Sequence, residues 1–265
     1  MSAEERRRRG GVWWPEALSV DGPRPVIDVV IPALNEEESL PKVLKALPDD
    51  WVRQVVVADN GSTDETADRA RALGAQVVAE PERGYGAACL RALEYLAQDP
   101  PDVVVFLDGD FSDRPEELPR VVAPIVSGEA DMVIGSRSIG HREAGALLPQ
   151  ARFGNALACA LMEWMYGYQF TDLGPFRAIR WDALEELGMQ DRNYGWTVEM
   201  QIKAARRRLS CVEVPVSYRQ RIGKSKVTGT VKGSVLAGVK ILYTLGKEYA
   251  DAFRERAGGH GEESR

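Results

Sequence analysis

The chain has 265 residues, of which 44% are apolar and 28% are charged, and its net charge is -6. This size and composition predict a globular protein with one substantial buried core. The negative net charge argues against a protein that binds nucleic acid through its overall electrostatics, and no apolar stretch is long enough to span a bilayer. Cys89, Cys159 and Cys211 lack metal-ligand spacing, which indicates free thiols in a reducing compartment.

Basic residues are concentrated in one part of the chain. Between residues 203 and 226 the only acidic residue is Glu213, whereas the lysines and arginines are Lys203, Arg206, Arg207, Arg208, Arg219, Arg221, Lys224 and Lys226. A segment of this kind predicts an anionic ligand, such as a phosphate, or an anionic surface.

Residues 1–24 are charged and rich in Gly and Pro, and we expect them to form a flexible N-terminal lead-in. An apolar, β-branched run over residues 26–31 then predicts a strand buried on both faces and ended by Pro32. Further strands are expected at 55–57, 76–79, 103–107 and 131–135. Helices are expected at 40–47, 62–74 and 86–97 and after Pro115, and Ser62 with Glu65 is predicted to form a capping box.

This alternation of strands and helices predicts a Rossmann-like α/β fold with a mostly parallel sheet. Ligands of such sheets bind at the carboxyl ends of the strands. Polar residues gather at those ends in three places, which are Asn35-Glu36, Asp59-Asn60-Gly61 and Asp108-Gly109-Asp110. We therefore expect the functional site there.

The second half of the chain has a different pattern. Helices are predicted at about 150–166 and 194–208, around a loop at 171–177. Strict alternation over residues 211–218 predicts a half-buried strand, and an apolar stripe predicts a long helix at about 230–253. That helix packs on its own domain, on a second subunit or on an anionic bilayer, and the pattern favours the first of these.

Asp108 and Asp110 are the strongest candidates for chemistry. Two carboxylates one residue apart repel each other unless a cation lies near them, and hard cations such as Mg²⁺ or Mn²⁺ suit carboxylate and phosphate oxygens. Gly109 would let the backbone approach a ligand closely. Asp59 either completes a turn or accepts hydrogen bonds from a nucleoside. One residue of the Asn35-Glu36 pair caps a helix and the other faces the nucleotide.

The chain resembles a known family at these positions. Residues 29–36, 57–64 and 107–110 read VVIPALNE, VADNGSTD and LDGD, and they are similar to the signatures of family-2 inverting glycosyltransferases with the GT-A fold. Residues 171–180 (TDLGPFRAIR), 213–216 (EVPV) and 223–226 (GKSK) are similar to the branch of dolichyl- and polyprenyl-phosphate sugar synthases. The resemblance covers about residues 26–245.

The resemblance implies a domain plan. Residues 25–226 would form the GT-A domain, with a nucleotide-sugar-binding half at 25–140 and an acceptor half at 141–226. A C-terminal helix at 227–254 and a disordered tail at 255–265 would follow.

The resemblance also implies residue roles. Pro32, Glu36 and Asp59 would contact the nucleoside of a UDP- or GDP-sugar. Asp108 and Asp110 would hold Mg²⁺ or Mn²⁺ and the donor diphosphate.

Diphosphate or acceptor phosphate would be bound by basic residues. The resemblance assigns this role to Arg137, Arg152 and a basic residue between Arg219 and Lys226. The branch usually has an arginine three residues before the glycine of the GKSK segment. Gln220 stands there in this chain, so either of its neighbours, Arg219 or Arg221, fills the role.

The acceptor decides whether a general base is needed. A phosphate monoester is already ionised and attacks unaided, whereas a hydroxyl must lose a proton to a carboxylate. Glu199 and Asp172 are the candidates for that base.

We therefore expect a metal-dependent hexosyltransferase whose acceptor is a polyprenyl or dolichyl phosphate. The alternatives are a soluble transferase that acts on a small-molecule, protein or glycan hydroxyl, and a non-catalytic protein that binds nucleotide-sugars. We expect a cytoplasmic protein that does not bind nucleic acid. Peripheral contact with the inner face of the membrane and homodimer formation are compatible with the sequence.

Overall fold

The computed structural model describes residues 11–12, 25–223 and 239–247. Within these residues, eight strands form one sheet: β1 (Gly11–Val12), β2 (Ile27–Ala33), β3 (Gln54–Asp59), β4 (Gln76–Ala79), β5 (Val103–Phe106), β6 (Met132–Ser136), β7 (Arg177–Arg180) and β8 (Cys211–Pro215). The helices are α1 (Leu40–Ala46), α2 (Thr66–Ala72), α3 (Tyr85–Leu96), α4 (Leu118–Val126), α5 (Pro149–Tyr166), α6 (Trp181–Leu187) and α7 (Trp196–Arg206). A 3₁₀ turn (Pro115–Glu117) precedes α4, and residues 239–247 are helical.

The strand order is β1-β8-β6-β7-β5-β2-β3-β4. All neighbouring strands are parallel except β7, which runs antiparallel to both β5 and β6. From β2 the chain proceeds outward to β3 and β4, and it then returns to place β5 on the other side of β2. The carboxyl ends of β2 and β5 therefore flank a topological switch point, where α/β sheets form their ligand crevices.

Successive residues of the central strands pack into two different cores. Val30, Val104 and Phe106 belong to one apolar cluster with α3, α5, α6 and α7. Their neighbours Val29 and Val105 belong to the cluster on the opposite face, with α1, α2 and α4. The sheet is covered on both faces, which explains the continuous apolar runs in the sequence.

The predicted alternation of strands and helices is confirmed in the first half of the chain, but Pro32 does not end β2. The strand continues to Ala33, and Pro32 pairs with Ala58 of β3. Alternation along the strand places the Pro32 nitrogen on the same side as the Val30 carbonyl, which faces β5. Pairing with β5 ends at Val30, so the missing N–H of proline costs no ladder hydrogen bond.

The predicted capping box is also wrong. Helix α2 begins only at Thr66, and its N-cap residue Glu65 makes no capping hydrogen bond. Ser62 instead belongs to the preceding loop, where its Oγ accepts a hydrogen bond from the Asn35 N–H at 2.9 Å. Because Ser62 joins two neighbouring loops, it is not available to cap the helix.

The second half departs from the prediction in two places. Strand β7 and helix α6 were not expected, because residues 171–177 read as a loop and β7 has only four residues. Strand β8 was expected to be half-buried, but Cys211, Val212, Glu213 and Val214 are all buried. Cys211 packs into the apolar cluster on one face of the sheet, and Val212 and Val214 pack into the cluster on the other. Glu213 is buried because it accepts hydrogen bonds from the Thr171 and Asp172 N–H groups.

The two ends of the chain are described only in part. Gly11 and Val12 pair with Val212 and Glu213 as β1, so the predicted flexible lead-in contains at least this short strand. Residues 239–247 are helical and lie inside the predicted C-terminal helix. The rest of that helix, the predicted tail at 255–265 and the remainder of 1–24 lie outside the described residues.

Two glycines at the start of α3, Gly84 and Gly86, allow another backbone segment to pack directly against the helix. A Cβ atom at Gly86 would lie 1.9 Å from the Asp191 carbonyl oxygen, and one at Gly84 would lie 2.0 Å from that of Arg192. The Gly86 and Ala87 N–H groups donate to the carbonyls of Asn193 and Arg192. The segment 191–193 therefore rests directly on the first turn of α3, where no side chain fits.

We predict that Gly86→Ala lowers the free energy of unfolding by about 1–3 kcal/mol, because the added methyl group overpacks a rigid backbone contact. Urea denaturation measures the change. Gly154→Ala in α5 is the matched control, since a Cβ atom there meets nothing within 4 Å and alanine favours a helix by up to about 1 kcal/mol. Equal stability of the two variants would contradict the prediction.

Candidate active site

The main cleft lies at the carboxyl ends of β2, β3 and β5 and has about 870 Å³ of empty space, including the part open to solvent. Its floor and walls come from six separate segments of the chain. The lining residues are Pro32, Ala33, Leu34, Glu36, Asn60, Arg83, Gly84, Tyr85, Ala88, Asp108, Gly109, Asp110, Asn193, Tyr194 and Arg221. The structure brings the predicted strand-end residues Glu36, Asp108 and Asp110 together in this cleft.

Asp110 is buried, and its two carboxylate oxygens have different partners. Oδ1 accepts hydrogen bonds from the Ser112 N–H at 2.8 Å and from the Ser112 hydroxyl at 2.5 Å. Oδ2 lies 3.0 Å from an Nη atom of Arg221. One oxygen is thus held by the loop, while the other faces a cation in the cleft.

Asp108 lies at the end of β5, and Oδ1 accepts a hydrogen bond from the Tyr85 hydroxyl at 3.1 Å. Burial and the nearby charge of Asp110 raise the Asp108 pKa to about 7, although Tyr85, Arg221 and Arg137 act in the opposite direction. A buried carboxyl whose pKa is raised in part by a neighbouring carboxylate is an electrostatic environment that a bound cation would relieve.

Arg221 is the cation that Asp110 and Glu36 share. Its guanidinium lies 3.0 Å from Asp110 and 3.6 Å from an oxygen of Glu36. Its Nε is buried and has no hydrogen-bond partner among the described residues. The guanidinium is therefore charge-paired but not fully hydrogen-bonded.

Arg219 faces elsewhere, so of the two arginines only Arg221 lines the cleft. The Arg219 guanidinium stacks 3.4 Å above the ring of Phe111 and donates to the carbonyls of Phe111 and Asp113. Phe111 has a left-handed backbone, with φ at 61°, a conformation that costs a non-glycine residue about 1–3 kcal/mol. Arg219 stabilises this turn from outside the cleft.

The predicted nucleoside residues separate into two groups. Pro32 and Glu36 line the cleft, and Gly109 forms part of its floor. Asn35 and Asp59 do not: Asn35 Oδ1 accepts from the Thr63 N–H at 2.8 Å, and Asp59 Oδ1 accepts from the Ser62 N–H at 3.0 Å. Both side chains hold loops together, and their contact with the nucleotide stays a prediction.

Asn60, which the sequence marks only as a turn residue, organises one wall of the cleft. Its amide donates to the carbonyls of Glu80 and Glu82 at 3.0 and 2.6 Å, and its Oδ1 accepts from the Gly84 N–H at 2.8 Å. Arg83 in turn donates to the Asn60 carbonyl at 2.8 Å. This network places Arg83 and Gly84 on the cleft.

Glu199 was predicted as a general base, but it is buried and does not line the cleft. Its carboxylate accepts hydrogen bonds from the Gln190 and Asp191 N–H groups and pairs with Lys203 at 2.7 Å. These bonds fix the loop that carries Asn193 and Tyr194 into the cleft. Glu199 is a positioning residue for that loop, which corrects the prediction.

Asp172, the other predicted base, is fully buried in an ion pair with Arg137. Its carboxylate accepts three hydrogen bonds from Arg137, from the backbone N–H at 2.6 Å, from Nε at 2.9 Å and from Nη at 2.7 Å. Burial alone would lower the pKa of the Arg137 guanidinium, but the ion pair and the hydrogen bonds with Asp172 raise that pKa well above its usual range. Asp172 is the partner of Arg137 and does not face the cleft.

The loop that carries Asp172 is held by a second buried acid. Glu213 of β8 accepts hydrogen bonds from the Thr171 and Asp172 N–H groups at 3.0 and 3.1 Å. Arg177, also fully buried, donates to the carbonyls of Gly174 and Thr197. These contacts give the segments TDLGPFRAIR and EVPV a structural role in supporting Arg137.

Arg152 lies in a second pocket, at the start of α5. The residues that line it are Ser138, Arg142, Leu147, Pro149, Arg152, Phe153, Asn155, Ala156 and Thr171. Neither the Arg142 nor the Arg152 guanidinium has an ion-pair partner among the described residues, whereas Arg137, which adjoins Ser138 in sequence, is paired. The pocket therefore combines two available cations with the positive end of a helix dipole.

Sequence reasoning missed several residues of the site. Tyr85, Arg83, Asn193 and Tyr194 line the cleft, and the glycines around Tyr85 were the only local signal. Asp113 is buried with neither carboxylate oxygen hydrogen-bonded among the described residues. Burial and the charge of Asp108 raise the pKa of Asp113 well above its usual range.

Among residues 11–12, 25–223 and 239–247, no three His, Cys, Asp or Glu side chains gather as a metal site made only of protein would require. Asp108 and Asp110 would thus share a cation with oxygens from a ligand. Lys226, a further predicted phosphate-binding residue, lies outside the described residues. None of the described helices combines the length and the apolar character needed to cross a bilayer.

Comparison with known proteins identifies the family. The family model for glycosyl transferase family 2 matches residues 28–188. The chain belongs to this family, and it is a glycosyltransferase. The predicted resemblance and the predicted GT-A-like fold are confirmed.

Curated relatives and a solved structure agree with this assignment. An uncharacterized glycosyltransferase of Mycobacterium tuberculosis is 41% identical over 80% of this chain and 94% of its own. The undecaprenyl-phosphate mannosyltransferase of Micrococcus luteus is 32% identical over 79% and 90%. Glucosyl-3-phosphoglycerate synthase of M. tuberculosis, in complex with Mn²⁺, UDP-glucose and phosphoglyceric acid, has a TM-score of 0.71 at 24% identity over 91% and 87% of the two chains.

We predict that Arg137 and Asp172 are strongly coupled. Asp172→Leu or Arg137→Met alone would lower the free energy of unfolding by about 3–5 kcal/mol, because each leaves a buried charge without its partner. The double variant would lose at least about 1 kcal/mol less than the sum. Urea denaturation of all three variants completes the cycle.

The exposed pair Arg91 and Glu94 of α3, 3.0 Å apart, provides the control cycle. Its coupling should stay below about 0.5 kcal/mol. Additive costs at Arg137 and Asp172 would show that the ion pair does not hold the loop.

Proposed function

We propose that the protein transfers a hexose, in a metal-dependent and inverting reaction, from a UDP- or GDP-sugar to a phosphate group on a polyprenyl lipid. The observation that carries the proposal is the division of charge over two pockets. One contains Asp108 and Asp110 with Arg221, and the other contains Arg142 and Arg152. Arg137 links the two, because it adjoins Ser138 of the second pocket and lies close enough to Asp108 to lower its pKa.

The residues of the main cleft suit a donor with a divalent ion. Asp110 already has a guanidinium 3.0 Å from its outer oxygen, so this position accepts positive charge. Asp108 and Asp110 would hold Mg²⁺ or Mn²⁺, which neutralises the charge that develops on the leaving diphosphate. Arg221, with its unsatisfied Nε, would bind the diphosphate oxygens directly.

The second pocket suits a phosphate acceptor. Arg152 and Arg142 would bind the phosphate oxygens, and the N-terminus of α5 adds a favourable dipole. A phosphate monoester is ionised near neutral pH and needs no general base. This fits a site in which Glu199 and Asp172 are both engaged in buried ion pairs.

The names of two relatives support a lipid phosphate as the acceptor. The undecaprenyl-phosphate mannosyltransferase and a dolichyl-phosphate hexose transferase of Haloferax volcanii, which is 33% identical over 78% of this chain and 89% of its own, carry such acceptors in their names. The phosphoglyceric acid in the structure of glucosyl-3-phosphoglycerate synthase supports a small phosphate-bearing acceptor as the second candidate. Both candidates present a phosphate monoester to the same arginines.

The donor site is tested by calorimetry with UDP and GDP, each with and without Mn²⁺. We expect micromolar affinity for one nucleotide only when the metal is present. Asp110→Ala should abolish both this binding and metal-dependent donor turnover, because it removes the carboxylate that faces the cation.

The matched control is Asp49→Ala, which changes an exposed acid in the loop between α1 and β3 and should bind like the parent. Donor turnover by Asp110→Ala at the parental rate would refute the role of Asp110. Absence of binding of either nucleotide to folded protein would refute the donor site.

The acceptor site is tested with Arg152→Gln. Loss of one charged hydrogen bond to phosphate, worth about 1.5–3 kcal/mol, should lower kcat/KM for polyprenyl phosphate about 10- to 100-fold. Donor affinity should not change, since Arg152 lies outside the donor cleft. Steady-state kinetics with varied acceptor and calorimetry with nucleotide measure the two effects separately.

Arg91→Gln, on the exposed face of α3, controls for the loss of a surface arginine. Parallel assays with phosphoglyceric acid decide between the two acceptors. Unchanged kcat/KM in Arg152→Gln for every acceptor that is turned over would exclude the second pocket as the acceptor site.

A further inference from the structure

Helix α5 exposes an apolar face that the core does not use. Phe153 and Trp164 are 72% and 79% exposed, and Leu157 between them is 39% exposed. We call these three residues the α5 surface. On the opposite side of the same helix, Ala158, Cys159 and Met162 are buried in the main apolar cluster. The helix is thus fixed by one face while the other presents large apolar side chains to solvent.

The spacing makes the α5 surface a continuous stripe. Leu157 follows Phe153 by four residues and Trp164 follows Leu157 by seven, which places all three on one side of a helix. At 1.5 Å per residue the stripe is about 16 Å long. Aromatic side chains this exposed are unusual on a protein surface and indicate an interaction site.

The charge around the stripe favours an anionic occupant. The second pocket lies at the N-terminal end of α5, and Phe153 lines it together with Arg152 and Arg142. Both arginines lack an ion-pair partner among the described residues. The only acid on α5 is Glu163, which is occupied by a hydrogen bond from Gln169. Apolar side chains next to unpaired arginines match the boundary between anionic headgroups and acyl chains.

We propose that the α5 surface binds the face of an anionic lipid bilayer, with Phe153, Leu157 and Trp164 inserted below the headgroups. The helix lies along the membrane, and Arg142 and Arg152 sit at the level of the phosphates. A lipid phosphate would then enter the second pocket from its own bilayer, past Phe153. The identity of that lipid rests on the proposed function, whereas membrane binding itself does not require catalysis.

The test is sedimentation of the full chain with phosphatidylcholine vesicles, with and without about a quarter of phosphatidylglycerol. We expect binding to the anionic vesicles and a loss of about tenfold or more in the partition coefficient of the double variant Phe153→Ser/Trp164→Ser. Both side chains are exposed, so circular dichroism should show an unchanged fold. Tryptophan emission should shift to the blue with vesicles in the parent and much less in Trp164→Phe.

Leu73→Ser is the matched control, because Leu73 is 40% exposed at the end of α2, on the opposite face of the sheet. It should bind vesicles like the parent. A second control is Val239→Ser/Tyr243→Ser, which removes the two most exposed of the three exposed apolar residues of helix 239–247. Loss of binding in this variant with full binding by the α5 variant would overturn the proposal.

Light scattering after size-exclusion chromatography tests the alternative that a second copy of the chain binds the α5 surface. If the parent is a dimer, the α5 variant a monomer, and neither binds vesicles, the α5 surface is a subunit interface and the proposal is wrong. Nucleotide calorimetry separates this result from failure of the proposed function. Vesicle binding without any transfer to polyprenyl phosphate would refute the lipid acceptor and leave the membrane surface intact.

Discussion

The buried ion pair between Asp172 and Arg137 is the contact on which the region around the second pocket depends. It ties the end of β6 to the 171–174 loop through Arg137, and Glu213 of β8 holds the same loop from behind. A buried charge without its partner is costly, so loss of one member of the Asp172–Arg137 ion pair would destabilise the loop that the other member holds. Strand β7, which the sequence did not predict, follows this loop and runs antiparallel between β5 and β6. Arg137 is thereby fixed beside both pockets by two buried acids, Asp172 and Glu213, that line neither of them.

The distribution of engaged and available charges explains which reactions the site favours. Asp172 and Glu199, the predicted bases, are tied in ion pairs to Arg137 and Lys203. In contrast, Asp108 and Asp110 line the main cleft, and Arg142 and Arg152 line the second pocket. A site of this kind is better prepared to neutralise phosphate groups than to activate a hydroxyl. On the proposed function, the charge of the substrate would therefore contribute more to selectivity than proton transfer does.

Local patterns in the sequence predict the sheet well, because buried parallel strands need continuous apolar runs and the polar residues after them must converge. The strand-end pairs at Asp108 and Glu36 were found in this way. Contacts between segments that are distant along the chain leave no such pattern in the sequence. Glu199 and Asp172 have the residue type of a catalytic base, and only tertiary packing shows that they hold loops. Tyr85 and Arg83 reach the cleft because Asn60 and the two glycines position their loop, which no spacing rule encodes.

The first turn of α3 has a consequence for how the enzyme responds to its surroundings. Two of its N–H groups are satisfied by the carbonyls of Arg192 and Asn193, so they do not offer a diphosphate the fixed positive dipole that dinucleotide-binding helices provide. On the proposed function, the compensating charge comes from arginine and from an ion that dissociates. Donor occupancy is then linked to the concentration of free divalent cations, and a chelator or a change in cellular Mg²⁺ would regulate the enzyme without touching its fold.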